Sequence, residues 1–179
     1  MSGVLCYLVI NKIPNLPRIA ISSALAHTSS DIYIGYLNLE DLTDLPKDPR
    51  LHFVDLSNVA TSRGLRNNSS KYVDFSQDYF FQLVQLKWDL FRLVGEISKA
   101  DFVAYSDLDV IILKDVISEF SSLFQVTPHI EIAVQDFTYS IVEPRLCMGI
   151  FAFRNNKESA SIISECSEIH KNGLIDNSR

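Results

Sequence analysis

The chain has 179 residues, 47% hydrophobic and 21% charged, which is enough for one ordinary core and too short for two well-built domains. A single domain over residues 1–179 is therefore expected. Sixteen Lys+Arg against 22 Asp+Glu leave a net charge of -6, which argues against a surface made for nucleic acid or an anionic membrane. Six glycines and six prolines, without any low-complexity tract, exclude a disordered or collagen-like chain.

Cys6, Cys147 and Cys166 are far apart and lack the spacings that hold zinc, so they are expected to be reduced core thiols of a cytoplasmic protein. The first residues have neither the basic flank nor the cleavage site of a signal peptide. No run reaches the roughly 18 apolar residues of a membrane span.

In chain order, Val4 to Ile10 is a short, β-branched, uninterrupted apolar run, the pattern of a strand buried on both faces. Asn15-Leu16-Pro17 then opens a helix over Arg18 to His27. Asp31 to Leu37 and Leu51 to Leu56 are the next strands, joined by an acidic, proline-containing connection. Thr61 to Lys71 is polar, with three cations and no acid, and is expected to be a loop. Phe80, Leu83, Leu86, Leu90, Val94 and Ile97 recur at steps of three and four, which predicts a long helix over Gln77 to Ser98. Strands are expected at Phe102 to Tyr105, Val110 to Leu113, Ile130 to Phe137 and Leu146 to Phe153. Helices are expected at about Val116 to Phe124 and Asn156 to Lys171. The alternation predicts an α/β fold, a mostly parallel sheet with helices on both faces.

Asp107 and Asp109 interrupt an otherwise apolar segment, Phe102 to Leu113. In extended backbone residues i and i+2 share a side, about 6 to 7 Å apart, so the two carboxylates converge while Leu108 packs the other way. Paired hard oxygens suit Mg²⁺ or Mn²⁺ with open positions for water and phosphate. Spacing alone also allows two aspartates that merely cap a turn. Lys87 lies on the apolar stripe of the long helix and points toward the sheet, where it can reach phosphates or simply lay its stem along the core edge. Ser62 to Lys71, with Arg63, Arg66 and Lys71, is a candidate lid over an anionic ligand. Asn11, Asn38 and Asp55 each follow a strand, where open α/β sheets bind a base and ribose and where turns also favour these residues. Asp136 and Glu143 could face a sugar. His27, His52, His129 and His170 have no partner spacing and are assigned no role.

AYSDLDVIILKDV, preceded by QLKWDLFRLV and followed by LCMGIFAFRNN, resembles the nucleotide-diphospho-sugar transferases of the GT-A glycosyltransferase superfamily, over roughly Val4 to Lys171. The resemblance implies a GT-A-like, Rossmann-like fold and a metal-dependent glycosyltransferase that moves a sugar from a nucleotide diphosphate-sugar donor to a saccharide, protein or lipid acceptor. Asp107 and Asp109 would hold Mn²⁺ or Mg²⁺, Lys87 would be a donor-site cation, and Gly149 would lie beside the donor sugar. The family's asparagine two residues before that glycine is Cys147 here. Related enzymes continue past the final helix into an acceptor-side segment, so the chain is expected to be a fragment or a minimal form. The alternatives are a non-catalytic nucleotide-sugar-binding domain and a Mg-dependent phosphohydrolase of the haloacid-dehalogenase type, which also places Asp-x-Asp at a strand end.

Overall fold

The computed structural model of the chain describes residues 1–10, 15–65, 82–136 and 146–171. Strand β1 (Gly3–Val9) is followed by α1 (Leu16–His27), β2 (Ile32–Tyr36), a 3-10 turn (Leu39–Leu42), β3 (Leu51–Asp55) and α2 (Ser57–Ser62). Then come α3 (Leu86–Ser98), β4 (Phe102–Ser106), α4 (Val116–Val126), β5 (Ile132–Asp136), β6 (Leu146–Arg154) and α5 (Lys157–Lys171).

The six strands form one sheet in the order β3-β2-β1-β4-β6-β5. Pairings β1–β2, β2–β3 and β1–β4 are parallel, whereas β6 runs antiparallel to both β4 and β5. The chain builds outward from β1 to β3 on one side, then returns to lay β4 on the other side of β1. That reversal makes a topological switch point at the carboxyl ends of β1 and β4, the place where open α/β sheets form a crevice.

Alternation along the strands sorts the core into two layers. Cys6, Leu8, Val103, Tyr105, Phe151 and Phe153 face α3, with α5 packed against the same layer through Ile162, Ile163 and Cys166. Leu5, Tyr7, Val9, Phe102, Ala104 and Ala152 face Ala20, Ile21 and Ala24 of α1 and Ile117 and Phe124 of α4. Both faces are thus covered by helices, which is why β1 is apolar at every position from Val4 to Val9.

Local signals set the element ends. Pro17 occupies the first turn of α1, and the Asp115 carboxylate accepts the Ile117 and Ser118 amides at the start of α4. Helix α2 ends where Gly64 takes φ +72. The Leu65 and Gly64 amides there donate to the carbonyls of Ala60 and Thr61, both at 2.9 Å, which satisfies the free end of the helix.

Several expectations change. Thr61 and Ser62 belong to α2 rather than to a loop, and residues 66–71 lie outside the described residues. The long helix is described from Gln82, with Gln85 in a turn before α3 begins; its expected start at Gln77 lies outside the described residues. Val110 to Leu113 is not a strand. The chain leaves the sheet after Ser106, and the Ile112 amide donates to Ser23 Oγ of α1 at 3.0 Å. Only Ile112 of that run is buried deeply, at 2% exposure against 46% for Ile111 and 76% for Leu113. Among the described residues no helix is long and apolar enough to cross a membrane.

Candidate functional site

Asp107 is the first residue beyond β4, so it stands at the switch point. Its amide donates to the carbonyl of Gly149 on β6 at 2.7 Å, continuing the β4–β6 ladder past its last paired residues, Ser106 and Ile150. Gly149 therefore adjoins Asp107 directly. The chain then turns, with the Val110 amide donating to the Asp107 carbonyl at 3.3 Å. Asp107 and Asp109 thus belong to a turn at the end of β4, not to one extended strand. Leu108 packs into the layer of α1 and α4, away from Lys87 and Tyr105, as expected.

The two carboxylates differ in environment. Asp109 is exposed, and Asp107 is half-buried. Burial pushes the Asp107 carboxyl above its ordinary value, the Tyr105 hydroxyl bonded to it and the charge of Lys87 pull it down, and Asp109 adds repulsion. The net direction is upward. Tyr105 lies two residues upstream on the same face of β4, is 4% exposed and donates its hydroxyl to that carboxylate. Burial first, and then the Asp107 charge, hold its phenol protonated well beyond the usual range. Tyr105 escaped the sequence analysis; its i−2 relation to Asp107 in a strand was the available signal.

Lys87 projects from the first turn of α3 toward the sheet, as its place on the apolar stripe predicts. Its Nζ lies over the rings of Trp88, Phe151 and Tyr105, 5.3, 5.7 and 5.9 Å from their centroids. Burial lowers its pKa, and attraction to Asp107 and Cys166 only partly offsets this. A cation held against aromatic faces and short of water binds incoming phosphate oxygens more strongly than a solvated one. Gly35 of β2 allows α3 to lie close: a Cβ there would sit 2.9 Å from methyls of Leu56 and Leu90. The Cys166 thiol of α5 lies near this charge, and Cys6 is buried; neither is in a disulfide.

The remaining candidates are distributed unevenly. Asn38 follows β2 and begins the 3-10 turn at the same sheet edge, in extended backbone. Asn11 and Glu143 lie outside the described residues, and Asp136 closes β5. Asp55 shapes a turn: its carboxylate accepts the Ser57 amide at 2.8 Å and the Ser57 hydroxyl at 2.5 Å, which holds its pKa low. Arg63 is no part of a lid. Its guanidinium turns inward to Asp89 at 2.8 Å and Ser167 at 2.6 Å. His52 stacks on Tyr33 and pairs with Asp31, and His27 bonds the Ser23 carbonyl.

Among the described residues no cluster of three or more His, Cys, Asp or Glu gathers. Two carboxylates that repel one another are nevertheless a donor set for a hard divalent cation. They would supply part of its oxygen shell and leave positions for water or phosphate, the manner in which Mg²⁺ is usually held.

A mostly parallel sheet with one antiparallel strand, helices on both faces and a carboxylate turn at the switch point define a GT-A-like, Rossmann-like α/β protein. No protein-family model matches the sequence, and no curated protein is similar to it. Solved structures are. The chain resembles the apo form of mouse xyloside xylosyltransferase 1 at 12% identity and TM-score 0.59, over 98% of this chain and 76% of that one. It resembles the glycosyltransferase GlyE of Streptococcus pneumoniae TIGR4 at 14% identity and TM-score 0.55, over 99% of this chain and 40% of that one. A third similar structure is CMP:2-keto-3-deoxy-manno-octonic acid synthetase complexed with CTP, at 11% identity and TM-score 0.50, over 97% of this chain and 87% of that one. These likenesses establish the fold.

Proposed function

We propose that the chain is a glycosyltransferase that takes its sugar from a nucleotide diphosphate-sugar donor and depends on Mn²⁺ or Mg²⁺. The observation that supports this is Asp107 at the switch point, interacting with both Lys87 and Asp109, on a fold shared with a xylosyltransferase, a glycosyltransferase and a CTP-bound synthetase. Asp107 and Asp109 would hold the cation, which supplies Lewis acidity toward a departing diphosphate. Lys87 places its ammonium where negative charge grows as the sugar leaves, already largely desolvated and so with little solvent left to reorganise. Tyr105 orients the Asp107 carboxylate from below. Gly149, bonded to Asp107 through its backbone, lines the same edge with no side chain to obstruct a sugar.

Calorimetric titration of nucleoside diphosphates and nucleotide sugars, with Mn²⁺, Mg²⁺ or EDTA, tests the site on the wild type and on Asp109→Asn. One nucleotide should bind in a metal-dependent way and lose that binding in the variant. Equal affinity in EDTA, or in Asp109→Asn, would remove the metal site. Release of nucleoside diphosphate from the bound donor then distinguishes a transferase from a domain that only binds.

A further inference from the structure

Strand β3 ends the sheet: among the described residues it pairs with β2 and with no strand on its outer side. The Ile32 amide donates to the Arg50 carbonyl at 2.8 Å, and the Leu56 amide to the Tyr36 carbonyl at 2.9 Å. Arg50 and Leu56 thus turn their backbone groups toward β2, and the alternation of a strand gives His52 and Val54 the same direction. Leu51, Phe53 and Asp55 turn theirs outward. The Leu51 amide is already held by the Asp48 carbonyl at 3.1 Å. The edge therefore offers a partner the Leu51 carbonyl, the Phe53 amide and carbonyl, and the Asp55 amide.

Natural edge strands are blunted by a proline, a lysine or a bulge. The strand Leu51–Asp55 contains neither residue, and its register with β2 runs unbroken from Leu51 to Asp55. Phe53 stands at its centre, 49% exposed. Beside Phe53 lies a groove of about 470 Å³, lined by Leu51 and by Leu42, Leu45 and Pro46 of the connection from β2. An exposed aromatic on an unpaired edge, next to an apolar groove, suits strand addition, in which the backbone supplies affinity and the groove takes side chains.

The groups on offer are complementary to themselves. Two copies of β3 can align antiparallel with Phe53 opposite Phe53. Each Phe53 amide then meets the other carbonyl, and each Asp55 amide meets the Leu51 carbonyl across from it. The Leu51 amide that Asp48 holds is not needed. The two phenylalanines form a cross-strand pair on the groove face. Charge selects this direction: the two Asp55 carboxylates stand at opposite ends, about 13 Å apart along the strand, whereas parallel alignment would set them side by side.

We propose that β3 is the interface of a homodimer, in which the edges of two copies pair antiparallel about Phe53 and carry one sheet through both. The contact is isologous, so it closes at two chains. It does not depend on what the carboxylate turn binds.

Sedimentation equilibrium of the full chain from about 10 to 500 μM covers the affinities of a small interface. The average mass should rise with concentration from monomer toward dimer and stop there. Phe53→Lys, at an exposed position, sets two like charges at the two-fold axis and should weaken association at least about tenfold, whereas Phe53→Tyr should keep it. Amide exchange on the wild type gives a second readout. Protection of the Phe53 and Asp55 amides should grow with concentration, while the His52 and Val54 amides, directed to β2, stay protected throughout. A wild type that remains monomeric to about 500 μM, association undiminished in Phe53→Lys, or growth beyond the dimer would overturn the proposal.

Discussion

Replacing Asp107 separates what its carboxylate does for the fold from what it does for a ligand. The Asp107 acid group sits above its ordinary value even with the attraction of Lys87 included, because burial and the neighbouring Asp109 outweigh Lys87 and the Tyr105 hydrogen bond. The folded protein therefore holds this proton more tightly than the unfolded chain. Its stabilising contribution is complete below the unfolded carboxylate range and is lost as pH rises through the elevated folded value. Asparagine carries no such proton and keeps an oxygen for the Tyr105 hydroxyl. Asp107→Asn should be at least as stable as the wild type at pH 7, with the difference closing toward pH 4. Alanine is another matter, since it leaves that hydroxyl without its acceptor in a residue only 4% exposed. The orphaned group costs about 1–3 kcal/mol relative to asparagine. In a domain of this length that is a Tm lower by roughly 2–12 °C, at about 2–4 °C per kcal/mol. Urea denaturation of the three proteins at pH 4.5 and 7.0, followed by circular dichroism, measures both differences. An asparagine variant less stable than the wild type at pH 7, or an alanine variant as stable as the asparagine one, would refute the reasoning.

Lys87→Met should lower the affinity for the cognate nucleoside diphosphate at least about tenfold in the same calorimetry. Its urea midpoint at pH 7 should not fall, because burial already disfavours the charged lysine. The wild type should gain on this variant only as pH climbs from the lowered folded value toward the ordinary lysine range. Gly35→Ala places a methyl 2.9 Å from fully buried Leu56 and Leu90 and should cost about 1–3 kcal/mol in urea denaturation. Because Leu90 belongs to α3, nucleotide affinity should fall with it.

Much of the sheet was legible because strands buried on both faces have no polar alternation to obscure them: β1, β2, β3 and β6 lie where their apolar runs predict. Lys87 was legible for the converse reason, a cation placed on an apolar helical stripe. Val110 to Leu113 was misread because β-branched residues look alike whether they pair with a strand or cross a helix. What decides between those is the seat beside β4, which is taken by β6 from farther along the chain. Arg63 was read as a lid cation because its partners, Asp89 and Ser167, are remote in sequence, and nothing local marks a cation that turns inward. The i and i+2 geometry assigned to the two aspartates assumed a strand that ends one residue earlier, while their electrostatic coupling persists across the turn.

The hydrogen bond from the Asp107 amide to the Gly149 carbonyl has a consequence for the order of assembly. β1 and β4 pair in parallel, and β4 acquires its second neighbour only when β6 closes on it from beyond β5. During synthesis the aspartates and Lys87 leave the ribosome well before Gly149, and pairing across so long a loop is slow relative to local helix formation. The bond from the carboxylate turn to β6 is thus among the last of its contacts to form. Chains interrupted before β6 would carry both aspartates yet lack the contact that fixes their turn.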